Sequence, residues 1–331
     1  MFFQERRNFG ESGGAPCEAL ARRDHPELYT FVAAMQKKYA GIYFMLLAAL
    51  GFSTMGAAAK LLKGHFNAGQ LVFYRNAVGL VFLMIGLLIK PPVQTAGKLG
   101  WLAFRGLMGT TALYTLLYCI LHMPLGTAMT YNLTSALFIA LFGFLFFGDY
   151  HGHRVTLAVI LGFLGMLMIY KPGFRSSPWY DHFAGLISGI TSAIAYLTVG
   201  RLSKYYDSRI IVLSFLLSGV ILPSISLWVH HGLGVPANDL FVIAWKWPDS
   251  LQQWIIILVL GVTALFGQYF VTRAYGSDKP GLVSAIGYSN IVFSLIFGLI
   301  LGDAFPDWLS FIGILCIISS GIIISVLKKK S

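Results

Sequence analysis

Two arginines stand where a charge is hardest to keep. Arg75 lies about a helical turn and a half into an apolar run, between Tyr74 and Asn76, and Arg105 sits at a similar depth in the run that follows. An arginine at the centre of a membrane helix costs roughly 2.5 to 3.5 kcal/mol on insertion scales, so such a residue is a functional candidate. Arg75, with Asn76 beside it, is read as an inward-facing group that meets an anionic part of a solute or organises an outer gate. Arg105 is read as a gating or structural residue whose guanidinium reaches its own interface or satisfies carbonyls of a neighbouring helix.

Neutral polar side chains cluster early in two later runs. Thr130, Tyr131, Asn132, Thr134 and Ser135 form one cluster, and Ser284, Tyr288, Ser289 and Asn290 the other. Residues three and four apart share a helix face, so Tyr131, Thr134 and Ser135 can point together, as can Ser284 and Tyr288. Tyr131, Asn132, Tyr288 and Asn290 are the solute-binding candidates, being large and able to hydrogen-bond. Interhelical hydrogen bonding as packing glue is the alternative. Tyr114 and Tyr118 are one turn apart, as are Gln268 and Thr272, with Tyr269 beside them. With Ser192 and Tyr196 they would add aromatic walls and neutral hydrogen-bonding groups. Such a lining suits a planar or amphipathic organic solute better than a bare ion.

The chemistry that is missing matters as much. All 13 acidic residues fall in the polar tail, in loops or at the ends of apolar runs, so no carboxylate is a clear mid-membrane proton relay. Facilitated diffusion or exchange is therefore expected over carboxylate-driven proton symport. Asp149 and Asp303, each closing a run, are read as structural or gating residues. His151 with His153, and His230 with His231, lie in two different loops, and Cys17, Cys119 and Cys316 have no ligand spacing, so neither a metal nor a cofactor is expected. No Gly-x-Ser-x-Gly, His-Glu-x-x-His or phosphate-loop motif occurs, which leaves a membrane-embedded enzyme as a weak rival and no catalytic residue to name. A channel or scaffold is the second rival.

The elements that must hold these groups are helices in a bilayer. Hydrophobic residues make up 57% of the 331 and charged residues 11%, against about 25% charged in a soluble domain. Apolar runs fall near 40–62, 69–89, 99–121, 126–147, 154–170, 182–201, 209–229, 251–273, 281–301 and 307–327, so ten transmembrane helices are expected. Lys90-Pro91-Pro92, His122-Met123-Pro124, Gly148-Asp149, Lys171-Pro172-Gly173 and Lys279-Pro280-Gly281 punctuate them. The net charge of +11 gathers at run ends rather than in a nucleic-acid-binding patch. With the N-terminus inside, most of the 24 basic residues fall on the cytoplasmic side, which places both termini there in a multi-pass protein of the inner membrane. Trp245 and Trp247, in the long outer loop from His230 to Gln253, suit an interfacial position.

The halves resemble each other. Setting Gly106 on Gly261 also sets Tyr114 on Tyr269 and Gly126 on Gly281; after a one-residue gap, Leu141 falls on Leu295 and Gly148-Asp149 on Gly302-Asp303. Five spans per half is an odd number, so the second copy lies upside down relative to the first. The expected organisation is a cytoplasmic tail over residues 1–38, with a short interfacial helix near Leu28–Met35, a first repeat over 39–172 and a second over 173–331. Small residues at three- and four-residue spacing, among them Gly51, Ser53, Gly56, Gly106, Gly109, Gly185, Ser188 and Gly189, suit close helix approach.

Phe73-Tyr74-Arg75-Asn76 in the second run, Arg105-Gly106 in the third and the Leu121–Ala128 turn into the fourth resemble the EamA-like branch of the drug/metabolite transporter superfamily. So do Asp149 and Asp303, where that family often carries Glu. The resemblance covers about residues 40–328. It implies an all-α, ten-helix inverted-repeat fold around a central cavity, and alternating-access transport of a small organic solute such as an amino acid, a nucleoside-like compound, S-adenosylmethionine or a flavin. The expected partners are that solute and the lipid bilayer, with a homodimer as a further expectation and no nucleic acid.

Overall fold

A computed structural model describes residues 26–92, 97–135, 137–139, 141–142, 152–170, 178–233, 245–277, 283 and 286–328. Met1–Ala40 and Gly41–Ser331 form separate units, and the packing below is that of the second. Among the described residues there are ten helices and no strand: α1 (Pro26–Leu61), α2 (Ala68–Ile89), α3 (Leu99–His122), α4 (Leu125–Leu133), α5 (Gly152–Tyr170), α6 (Trp179–Leu202), α7 (Ser208–Leu233), α8 (Leu251–Ser277), α9 (Ser289–Ile300) and α10 (Trp308–Lys328). Asp149, Gly148, Gly281, Ser284, His151 and Cys17 lie outside the described residues.

Six stretches are long and apolar enough to cross a bilayer: Gly41–Leu61 of α1, all of α2, α3, α6 and α8, and Ser208–His230 of α7. The expected fourth and ninth spans are where the difference is clearest, because each is interrupted inside its polar cluster. The chain turns at Thr134, and helical backbone resumes at Ser135; it turns again at Tyr288, between Gly287 and the start of α9. At the first break the Thr134 hydroxyl donates to the Tyr131 carbonyl at 2.6 Å, and the Thr134 N–H is shared between the carbonyls of Thr130 and Tyr131 at 3.2 Å each. A side chain competing for a backbone acceptor loosens the α-helical ladder into a tighter turn.

Helix ends are fixed by local chemistry. Asn67 caps α2, its side-chain oxygen accepting the Gln70 N–H at 2.9 Å. Gly302, at φ +87°, ends α9: its N–H bonds the Leu299 carbonyl at 3.1 Å and the Asp303 N–H bonds the Gly298 carbonyl at 2.9 Å. That pair of bonds is the Schellman arrangement, which glycine adopts without a Cβ penalty.

Packing relies on close backbone approach. The helix pairs α5·α10, α3·α6, α2·α7, α3·α7 and α2·α8 make the main contacts. A Cβ added at Gly51 would lie 3.0 Å from the Gly267 backbone nitrogen in α8, and one added at Gly165 would lie 2.6 Å from the Gly313 carbonyl in α10. In lipid, where apolar burial between helices gains little, such contact is the main source of association. Leu88, Ile89, Leu157, Trp228, Leu251 and Ile300 face outward and exposed, a surface that suits hydrocarbon rather than water. The chain is a multi-pass integral membrane protein. Trp247 is exposed, and Trp245 packs against the rings of Phe73 and Tyr74, with centroids 5.0 and 5.3 Å away.

Candidate solute site

Every helix except α5 and α10 contributes to one interior cavity of about 50 Å³. Its polar lining is Arg75 from α2, Arg105 from α3, Asn132 from α4, Ser192 and Tyr196 from α6, Gln268 from α8 and Asn290 from α9. Six of the ten solute-binding residues expected from sequence, Arg75, Asn132, Ser192, Tyr196, Gln268 and Asn290, therefore converge from both halves of the chain. The volume suits a few waters and is far below the roughly 300 Å³ at which ligand pockets begin, so the cavity is closed down around its polar groups.

Small residues make the room for the two arginines. An added Cβ at Gly109 would strike the Arg105 guanidinium and come within 2.8 Å of the Phe215 ring; one at Gly219 would strike the Asn76 amide. Both guanidiniums lie over the same aromatic ring, that of Phe215 in α7, with their central carbons 5.0 Å (Arg75) and 4.9 Å (Arg105) from its centroid. Each arginine is only 1% exposed, so neither snorkels to an interface. Arg105, expected to serve structure or gating, shares the Phe215 ring with Arg75. Asn76 does not line the cavity; its side-chain oxygen accepts from Arg75 Nη1 at 2.8 Å while its amide donates to the Val72 carbonyl, so it holds Arg75 in place.

The two asparagines are held differently. Asn132 donates to Ser188 Oγ at 2.9 Å and to Ser192 Oγ at 2.8 Å, tying α4 to α6. Asn290 accepts from the Ser53 hydroxyl and, at 3.1 Å, from that of Ser294, tying α9 to α1. Tyr196 stacks on Tyr275 at 4.7 Å. Together with Phe52, Asn132 and Asn290, it also borders a smaller void of about 20 Å³ lined by Met45, Ser135 and Tyr275, which continues the polar path away from the arginines.

Three aromatic candidates lie elsewhere. Tyr114 packs against the apolar core outside the cavity. Tyr131 fits over Gly185 and its hydroxyl meets His182 Nδ1 at 2.7 Å. Tyr288 is buried at the ninth-span break, its hydroxyl without a hydrogen-bond partner among the described residues. Asp303 is also remote: Lys60 of α1 forms an ion pair with it, and the Leu125 N–H at the start of α4 donates to its other oxygen at 2.9 Å. One carboxylate thus ties three helix ends together.

Sequence reasoning missed Phe215 and a buried acid. Phe215 is one of 26 phenylalanines, with no local mark of its role. Asp181 does sit at a helix end, as all acids were expected to, but it is 2% exposed and accepts from the Tyr118 hydroxyl at 2.9 Å. The neighbouring Pro178-Trp179-Tyr180 was its only signal: a carboxylate in the first turn of an apolar helix can be wet or buried, and spacing alone does not decide.

The family model of the EamA-like transporter family matches residues 39–171. A pseudopaline exporter of Pseudomonas aeruginosa is 32% identical over 291 residues, which cover 87% of this chain and 97% of that protein. An uncharacterized transporter of Helicobacter pylori is 29% identical over 86% of this chain and 94% of its own. Solute carrier family 35 member G1 of Mus musculus is 25% identical over 85% of this chain and 76% of its own. One solved crystal structure superposes with a TM-score of 0.64 at 16% identity, over 88% of this chain and 99% of that one, a likeness of fold alone.

Proposed function

This chain belongs to the EamA-like transporter family, and from that premise we propose that it carries a small organic solute across the cytoplasmic membrane by alternating access. In this reading ten crossings form two inverted five-helix repeats, both termini are cytoplasmic, and the solute site is the cavity shared by the two halves.

The observation that carries the reading is an exchange of contacts between matched residues. Gly106 of α3 is the point of close approach to α7, where an added Cβ would lie 2.7 Å from the Ser214 carbonyl. Its counterpart, Gly261 of α8, is the point of close approach to α2, against Val78 and, at 3.3 Å, the Arg75 carbonyl. A twofold relation between the halves gives this swap, the third helix of each half meeting the second helix of the other, and five spans per half make that relation an inverted one. The breaks support it too: the register that sets Leu141 on Leu295 also sets Thr134 on Tyr288. Both positions keep right-handed helical backbone, so these are matched local irregularities in the two spans rather than unwound segments.

Sidedness and exchange test the proposal. Tags at both termini and at Ser203 should be accessible only from the cytoplasmic face. Protein reconstituted with a solute inside the vesicles should show saturable counterflow of the same labelled solute. Tags on opposite faces would end the inverted-repeat reading, and unsaturable flux without trans-stimulation would indicate a channel.

A further inference from the structure

The proposed transport site has a chemical sign, and the inference drawn from it rests on the reading that the cavity is where the solute binds. Its buried polar side-chain atoms that lack a partner among the described residues are Arg75 Nε, Arg105 Nε, Arg105 Nη1 and Gln268 Nε2, all nitrogen donors. Arg105 makes no hydrogen bond to the described residues, and Arg75 gives one guanidinium bond, to Asn76. The acceptor oxygen of Asn290 already serves Ser53 and Ser294. No Asp or Glu among the described residues lines the cavity. Two like charges are therefore held near each other inside the protein, each only 1% exposed, with the Phe215 ring as their shared neighbour.

A guanidinium cannot escape this situation by losing its proton, because it stays charged at any ordinary pH. An arginine kept for structure would spend its donors on helix-end carbonyls or a carboxylate, and these two do not. Cation–π contact with one ring offsets a small part of the desolvation and nothing of the mutual repulsion. What completes the site is an acceptor-only group with negative charge, matched to the planar fork of an arginine. We propose that the solute is an organic anion, with two negative charges carried on carboxylate or phosphate-ester groups, that bridges Arg75 and Arg105 while Gln268 donates a further hydrogen bond. The closed cavity of about 50 Å³ admits the anionic end alone, so the remainder of the solute needs the opened form.

Thermal unfolding of the purified full chain in nanodiscs, at constant ionic strength, tests this. The probes are succinate, citrate, glutamate and glycerol 3-phosphate, set against inorganic phosphate, chloride, adenosine and putrescine. At least one organic dianion should raise the wild-type Tm saturably. Arg105→Gln should melt higher than wild type without ligand, since a buried unpaired charge is gone, and should need at least tenfold more anion for the same shift. Arg105→Lys, which keeps the charge but not the fork, should fall between them. Stabilisation by adenosine or putrescine alone, by inorganic phosphate or chloride alone, or by no probe would overturn the inference, as would an anion response unchanged in Arg75→Gln and Arg105→Gln. Should neither variant fold, the wild-type panel decides by itself. Counterflow in proteoliposomes separates the two readings: exchange of a neutral solute without anion binding sinks this inference and spares the transporter, whereas anion binding without exchange does the reverse.

Discussion

Phe215 and Asp181 show what a single side chain decides in this interior. Removing the Phe215 ring leaves two guanidiniums without their common neighbour and opens a void, so Phe215→Ala should destabilise the protein by about 3 to 5 kcal/mol and abolish solute binding. Phe215→Leu, which keeps much of the volume, should recover most of the stability and little of the binding; a calorimetric scan with a ligand titration distinguishes the two. Asp181 accepts from the buried Tyr118 hydroxyl, and Tyr118→Phe should cost about 1 to 3 kcal/mol by leaving that carboxylate short of a donor. Equal melting of Tyr118→Phe and wild type would show that the bond contributes nothing. Arg75 and Arg105 were legible in the sequence because charge inside an apolar run is rare. Which wall of its helix Arg105 faces was not legible, because that depends on Gly106 and Gly109 drawing α7 close, a fact of packing rather than of pattern.

At the scale of the element, helix ends follow rules readable from sequence, and helix breaks do so only in part. Gly302 follows from the need for φ +87° at the end of α9, and Gly302→Ala should lower stability by about 1 kcal/mol. Asp207, before the first residue of α7, accepts the Arg209 N–H at 2.8 Å and its guanidinium Nη2 at 2.9 Å, and these bonds hold its carboxyl below the usual aspartate range. A depressed folded-state value means that the stabilisation is present above the ordinary carboxyl pKa of about 4 and is lost as pH falls through the lower, folded value. Asp207→Ala should therefore melt below wild type at pH 7, with the gap closing in acid; a gap that widened in acid would refute the assignment. The long runs 126–147 and 281–301 read as continuous spans because their composition is continuous. The turn at Thr134 depends on its hydroxyl competing with the ladder and on a neighbouring helix to accept the cluster, as Ser188 and Ser192 do for Asn132, while at the second turn the buried Tyr288 hydroxyl bonds no described residue; no single-run pattern encodes either.

Across the whole molecule, the proposed repeat rests on matched positions that include glycines at helix crossings, where tolerance is least. The exchanged contacts of Gly106 and Gly261 were not legible, since they require both halves at once. Lys60, Asp303 and the start of α4 close one end of the bundle. At the other end Arg209 reaches the Lys90 carbonyl and Tyr206 accepts the Lys98 N–H at 3.0 Å. A carrier must open these ends one at a time. The most direct measurement is the reactivity of Ala195→Cys, a small cavity-lining position, with an impermeant thiol reagent applied to either face of sealed vesicles in a cysteine-free background. Releasing the first end with Asp303→Asn should raise labelling from the Lys60 face and lower it from the Lys90 face in the same preparation. Labelling that rises from both faces together, or changes from neither, would contradict alternating access around this cavity.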